Sequence, residues 1–336
     1  EMRKESLGGE TIETIYWGGG TPSQLDKEDF ETIFYYLHKN YSISSHPEIT
    51  LEANPDDLTP DYIAMLRTLP FNRLSMGIQT FNESILKVLQ RRHTARQAIE
   101  AFQNCRAAGF QNISIDLMYG LPGETLSTWQ QDLDQALLLH PEHLSAYHLI
   151  YEEDTVLWKL REQHKVEEAD EDLSVSLFST LIDRLTSEGY DHYEISNFSL
   201  PGLYSRHNSS YWTEKKYLGC GPSAHSYNGV SRQWNVASLD TYIKGISAGT
   251  PVFEIEELDL YTRYNDFVIT RIRTEWGMPL SKLRDEFGEK LYDYCLRMAA
   301  PHLKQGTLEL VNDILKLTRK GIFISDGIMS DMLWTD

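Results

Sequence analysis

The sequence predicts an α/β fold built on a parallel sheet, and three observations carry that expectation. Short β-branched and aromatic runs alternate with helical segments at a spacing of roughly 30–40 residues, the rhythm of βαβ units. Five such strand-like runs fall before residue 150. The distinctive residues gather at the carboxyl ends of those runs: Gly18 to Thr21, Glu52 with Asn54, Gln79, Asp116 with Gly120, and Tyr147 to Glu152. Parallel sheets keep their sites at such ends, and both an open doubly wound sheet and a closed or partial barrel meet these conditions.

The first run, TIETIYWG, leads through Gly18–Gly20 and a Thr-Pro-Ser turn into a helix from Asp26 to about Lys39. The residues before it, EMRKESLGGE, read as the tail of a helix, as though Glu1 were a cut in a longer chain. EITLEAN follows, then a short helix begun by Thr59–Pro60; Thr59 and Asp26 carry oxygens able to cap free N–H groups. NRLSMGIQT precedes NESILKVLQ and a helix from Ala95 to Ala108 that Gly109 stops. NISIDLMYG, the helical TLSTWQQDLDQALLL and the strand HLSAYHLIY complete this series. A long helix closed by Gly189 comes next, then the strand-like HYEISNF. RHNSSYW, YLGCGPSAHSYNG and RQWNV read as Gly- and aromatic-rich loops, and short helices dominate from about Ser238. The terminal stretch TLELVNDILKLTRKGIFISDGIMSDML reads as helix, turn, then a small β-wing.

The formal charge of −19 over 336 residues disfavours a nucleic-acid partner, because a phosphate backbone would be repelled. No run approaches the ~18 apolar residues of a membrane span, and no charged-then-apolar leader opens the chain. Cys105, Cys220 and Cys295 fit neither a disulfide framework nor a metal motif, which suits a reducing cytoplasm.

Gly18-Gly19-Gly20 is read in two ways. It is a tight βα turn, or a stretch stripped of side chains so that a compact charged ligand, such as an amino-acid ammonium, can reach the main chain. It is neither a dinucleotide fingerprint nor a Walker loop, since the required spacings are absent. Glu52 and Asp116 lie inside strands, where a carboxylate is costly unless paired. They are expected either to form ion pairs with Arg73 or Arg91, or to recognise hydroxyl or ammonium groups of a ligand. RHNSSYW sets His207 among aromatics, where a flat ligand could stack and a neutral imidazole ligate iron. His143, His148, His207 and His225 share no zinc spacing.

Taken in order, YWGGGTPS, TLEANP, NRLSMGIQTF, ISIDLMYGLPGET, HLSAYHLIYEEDT, HYEISNF, SRHNSSYW and YLGCGPSAHS resemble the radical SAM family around oxygen-independent coproporphyrinogen III oxidase, and within it the haem-chaperone branch. The resemblance covers nearly the whole chain. It implies a partial (β/α)6 barrel over residues 1–229, truncated at its N-terminus, and a C-terminal α-rich, winged-helix-like domain over residues 230–336. It also implies S-adenosylmethionine (SAM) and a 4Fe-4S cluster as cofactors. Gly19, Gly20 and Thr21 would then meet the methionyl part of SAM. Glu52, Gln79, Arg91 and Asp116 match further SAM contacts, and Ile150 lies near the adenine. The family's C-x-x-x-C-x-x-C ligand motif is absent here, so the cluster is expected only in a longer form of the protein, and the chain as it stands should bind no cluster. HNSSYW matches the branch's H-N-x-x-Y-W, which implies haem bound through His207 and client haemoproteins such as respiratory-chain enzymes. An oxidase that decarboxylates coproporphyrinogen III is the alternative. A DNA-binding role for the wing is disfavoured by the acidic charge. The resemblance allows a homodimer, though no apolar stripe demands one.

Overall fold

The computed structural model describes residues 1–335. Glu13–Leu37 and Ser44–Ser205 form one unit; Glu1–Ile12, His38–Ile43 and the chain from Arg206 onward form another. The first unit is built from β1 (Ile12–Trp17), α1 (Lys27–Asn40), β2 (Ile43–Ala53), α2 (Pro60–Leu66), β3 (Arg73–Gln79), α3 (Glu83–Val88) and α4 (Ala95–Ala107). It continues with β4 (Ile113–Tyr119), α5 (Leu126–Leu139), β5 (His143–His148), α6 (Val156–Glu162), α7 (Glu171–Ser187), β6 (Asp191–Glu194) and β7 (Asn197–Ser199).

These strands make a seven-stranded sheet in the order β1-β2-β3-β4-β5-β7-β6. β2, β3, β4 and β5 pair in parallel, as the βαβ rhythm demands, while β7 and β6 close the sheet antiparallel. Strand alternation divides the residues between two faces. Leu51, Leu74, Met76, Ile78, Ile113, Ile115, Leu117 and Leu144 occupy one face and are buried. Each such side chain contributes about 1.5–3 kcal/mol on burial. The intervening positions, among them Glu52, Ser75, Asp116 and Ser145, make the inner face of this half-barrel polar. At the β1 edge Trp17, Phe30, Phe34 and Phe71 lock α1 onto the sheet, with Trp17 and Phe30 ring centroids 5.0 Å apart.

The expected caps form. Asp26 and Asp29 bond reciprocally at the start of α1, at 3.0 and 3.3 Å, and the Tyr62 amide donates to Thr59. EMRKESLGGE is not the helix tail expected: it forms successive turns, with the Lys4, Ser6 and Gly8 amides donating three residues back. Gly8 and Gly9 then take positive φ, which ends any helical path.

The second unit carries α8 (Arg206–Trp212), β8 (His225–Tyr227), β9 (Ser231–Asn235), α9 (Leu239–Ser247), β10 (Phe253–Glu257) and α10 (Leu260–Ile272). β11 (Met278–Pro279), α11 (Leu280–Gln305), β12 (Leu308–Val311), β13 (Ile314–Leu317), α12 (Arg319–Ile322) and α13 (Ser325–Met332) follow. RHNSSYW is helix α8 and not the loop expected. Ser210 Oγ donates to the His207 carbonyl and Thr213 Oγ1 to that of Ser209, so hydroxyls that often compete with a helix here bond back onto it. The expected order of the terminal stretch is reversed. β12 and β13 form the wing first, joined by Asn312 and Asp313 at φ 50° and 70°, a turn suited to two-residue hairpins, and helices α12 and α13 come after it. Among the described residues no helix is long and apolar enough to cross a membrane.

Candidate functional site at the strand ends

At the end of β1 the three glycines serve different purposes. A Cβ on Gly18 would fall 2.6 Å from Tyr16 Cε1 and 2.8 Å from Glu52 Oε1, so only glycine lets these side chains meet beside it. Tyr16 Oη donates to Glu52 Oε1 at 2.6 Å, and the Gly19 amide donates to Glu52 Oε2 at 3.3 Å. Burial first, and then the Glu52 charge, push the Tyr16 hydroxyl far above its ordinary pKa, so it stays a donor. Gly19 and Gly20 lie in the left-handed region at φ 75° and 71°, with nothing within 4 Å of where their Cβ atoms would be. Their main chain is open to a ligand.

Asp57 anchors this loop. It accepts from Ser23 Oγ at 2.7 Å, Gln24 Nε2 at 2.6 Å, Asn54 Nδ2 at 3.4 Å and Arg92 at 3.0 Å. The turn after β1 is thereby tied to the end of β2. Arg91 donates to Asn54 Oδ1 at 2.7 Å and to the Gly77 carbonyl at 2.9 Å, and burial lowers its pKa. Gly77 also brings Gln79 close: a Cβ there would lie 3.1 Å from Gln79 Nε2. Thr21, Gln24, Asn54, Asp56 and Arg91 line one cavity of ≈ 360 Å³.

Gln79 itself has φ 71°, an unfavourable value for a residue with a side chain. Asp132 on α5 fixes the turn that follows, accepting from Thr80 Oγ1 at 2.5 Å and from the Phe81 amide at 2.8 Å. Glu124 does the same after β4, accepting from the Gly120 and Leu121 amides at 2.7 and 3.3 Å. Burial raises Asp132 to about 6 and Glu124 to about 7. Both grip a loop at a strand end.

Asp116 lies deeper, opposite Gly77 in register, and accepts from Ser75 Oγ at 3.3 Å. Burial raises its pKa to about 6, the Glu52 charge adds to the rise, and a hydrogen bond from Ser145 and the Arg73 charge oppose it. The ion pairs considered for Glu52 and Asp116 do not form. Arg91 is committed to Asn54 and Gly77, and Arg73 comes within ion-pair distance of neither carboxylate.

Gly19 and Glu52 are therefore bonded to each other, Thr21 and Arg91 line one cavity, and Gln79 and Arg91 meet beside Gly77. Ile150 follows β5 with 75% of its surface exposed, apart from those contacts. His207 is on α8, in the other unit. Its Nε2 shares a hydrogen bond of 2.9 Å with Tyr211 Oη, one helical turn along, and the rings meet edge to face at 5.2 Å. Tyr211 continues to Tyr217 at 4.8 Å, and Arg273 lies 4.3 Å over the Trp212 ring. Sequence reasoning missed Tyr16, Asp57, Glu124 and Asp132. A readable signal existed for Asp132, a carboxylate on the helical face of Trp129, Leu133 and Ala136. Among the described residues no group of three or more His, Cys, Asp or Glu could hold a metal ion, so the side chains present do not fit a 4Fe-4S cluster.

Residues 3–136 match the Radical SAM superfamily model, and residues 258–324 match the HemN C-terminal domain. The chain is 32% identical to heme chaperone HemW of Lactococcus lactis subsp. lactis, over 97% of this chain and 86% of that protein. It is 30% identical to heme chaperone HemW of Bacillus subtilis, over 96% and 86%. In fold it is similar to coproporphyrinogen III oxidase (HemN) from Escherichia coli, with a TM-score of 0.83 at 23% identity over 98% of this chain and 81% of that one.

Proposed function

This chain belongs to the HemW family within the radical SAM superfamily, and from that premise we propose that it binds haem through His207 and hands it to client haemoproteins. The observation that carries the reading is α8, where a half-buried imidazole shares a hydrogen bond with Tyr211 on a short helix that also carries Trp212. A neutral imidazole is an iron ligand, and flat aromatic rings suit a porphyrin face. We assign the activity to the cytoplasm, in keeping with the free thiols Cys105, Cys220 and Cys295.

We further assign the strand-end cluster to SAM. Gly19, Gly20 and Thr21 would take its amino-acid part, with Glu52, Gln79, Arg91 and Asp116 around it and Ile150 toward the adenine. The open main chain at Gly19 and Gly20 supports this fit. SAM, when bound, supplies the adenosyl sulfonium on which the family's chemistry depends. Glu52 keeps acceptor capacity beyond its bonds from Tyr16 and Gly19, enough for a hydroxyl or ammonium donor. Asp57 holds the loop in place.

The test is a paired assay on the full-length protein with its cluster intact. Tight haem binding and haem transfer to an apo-haemoprotein, without carbon dioxide release from coproporphyrinogen III, is the expected result. Decarboxylation with formation of 5'-deoxyadenosine would instead establish the oxidase.

A further inference from the structure

Away from the strand ends, three polar atoms toward the inner face of the half-barrel are shielded from solvent and have no hydrogen-bond partner: Thr50 Oγ1, Arg73 Nε and Asn112 Oδ1. They are neighbours in register. Thr50 on β2 pairs with Arg73 on β3. The pairing of Leu74 with Ile113 sets Asn112, one residue before β4, beside Arg73. Alternation puts all three on the face that carries Glu52, Ser75, Ser114 and Asp116. One row across three adjacent strands is thus left unsatisfied, at the amino-terminal end of the sheet.

Arg73 is the centre of that row. It is 1% exposed, and among the described residues its guanidinium forms neither a hydrogen bond nor an ion pair. Burying a cation without a hydrogen-bond partner is unfavourable. The groups that share its face of the sheet are bonded to other partners. Glu52 is bonded to Tyr16 and Gly19, and Asp116 to Ser75. His143 is held between Ser114 Oγ at 2.8 Å and Tyr193 Oη at 2.7 Å. Burial, and then the Arg73 charge, hold His143 neutral, so it brings no compensating charge.

We propose that this row is a binding site for a small monovalent oxyanion of the carboxylate class, the size of formate or bicarbonate. The guanidinium offers a planar fork that matches two carboxylate oxygens. The Thr50 hydroxyl donates from the next strand, about 4.8 Å away. The Asn112 amide can turn its NH2 inward from the other side. Glu52 and Asp116 lie one and two rows above, and their charge discriminates against polyanions. The site does not depend on the haem or SAM assignments.

The experiment is calorimetry and thermal unfolding of the protein with sodium formate, against sodium chloride at equal ionic strength. The wild type is expected to bind formate saturably and to melt at rising temperature as formate is added, while chloride gives neither effect. Arg73→Met and Thr50→Val should each weaken formate binding at least tenfold. Should Arg73→Met fail to fold, Thr50→Val, which preserves shape, still decides the matter. Bound water only, seen as no formate-specific stabilisation in the wild type, would overturn the proposal. So would unchanged binding in Thr50→Val or equal binding of chloride.

Discussion

Glu52 and Asp116 sit inside the half-barrel, each fixed by groups on other strands, whereas His207 sits on a seven-residue helix and is met by Tyr211 one turn along. The first arrangement joins residues far apart in sequence. It is fixed by the whole sheet, and its polar groups are oriented by partners on neighbouring strands. The second is local and half exposed, built on one short helix. A preorganised pocket suits a cofactor that must be held in one pose. A ring on a short exposed helix suits a cargo that must be taken up and given away.

The contrast can be broken most forcefully at Asp132. Asp132→Ala strands the buried Thr80 hydroxyl and the Phe81 amide, and should destabilise the protein by about 2–6 kcal/mol, since each orphaned group costs about 1–3 kcal/mol. Urea unfolding measures it. A loss no larger than that of a surface substitution would mean the strand-end loops are not held as described.

Next comes pH. Glu124 is raised in the folded state to about 7 from an ordinary value near 4.5. The native chain therefore binds more protons than the unfolded one between those values, and stability falls as pH rises from 4.5 to about 7, then levels. The share of Glu124 in that decline is worth about 3 kcal/mol. Asp116 and Asp132, raised to about 6, add to its lower part. Glu124→Gln should remove the portion between pH 6 and 7, as unfolding curves across that range would reveal.

Glu52→Ala should weaken SAM binding by about 1.5–3 kcal/mol, the cost of losing a charged hydrogen-bonding partner. Calorimetry on anaerobically reconstituted full-length protein tests it, and equal affinity would remove Glu52 from the SAM pocket. The smallest effect is expected on α8. Tyr211→Phe removes the exposed hydrogen bond to His207, about 0.5–1 kcal/mol of stability, yet should shift the haem absorption spectrum because the imidazole's bond to Tyr211 is gone. An identical spectrum would separate Tyr211 from the ligand.

What the sequence disclosed follows the same division. Parallel strands, capped helices and the strand carboxylates Glu52 and Asp116 were legible because alternation, caps and misplaced charges are local signals. Asp57 and Asp132 were not, because Asp57 finds its donors on three segments and Asp132 reaches Thr80 across 52 positions. The ion-pair alternative failed because hydroxyls and amides of Tyr16, Ser75 and Gly19, unremarkable in sequence, take the place of arginine. Helix α8 was misread for want of apolar periodicity, and the wing was placed late because the Asn312–Asp313 turn was overlooked.

The proposed haem ligand is tested most directly by titrating haem into the wild type and into His207→Ala under reducing conditions. The account predicts a Soret band and tight binding in the wild type, and weakened binding with an altered band in the variant, at unchanged folding stability. The same band and the same affinity in both proteins would contradict it.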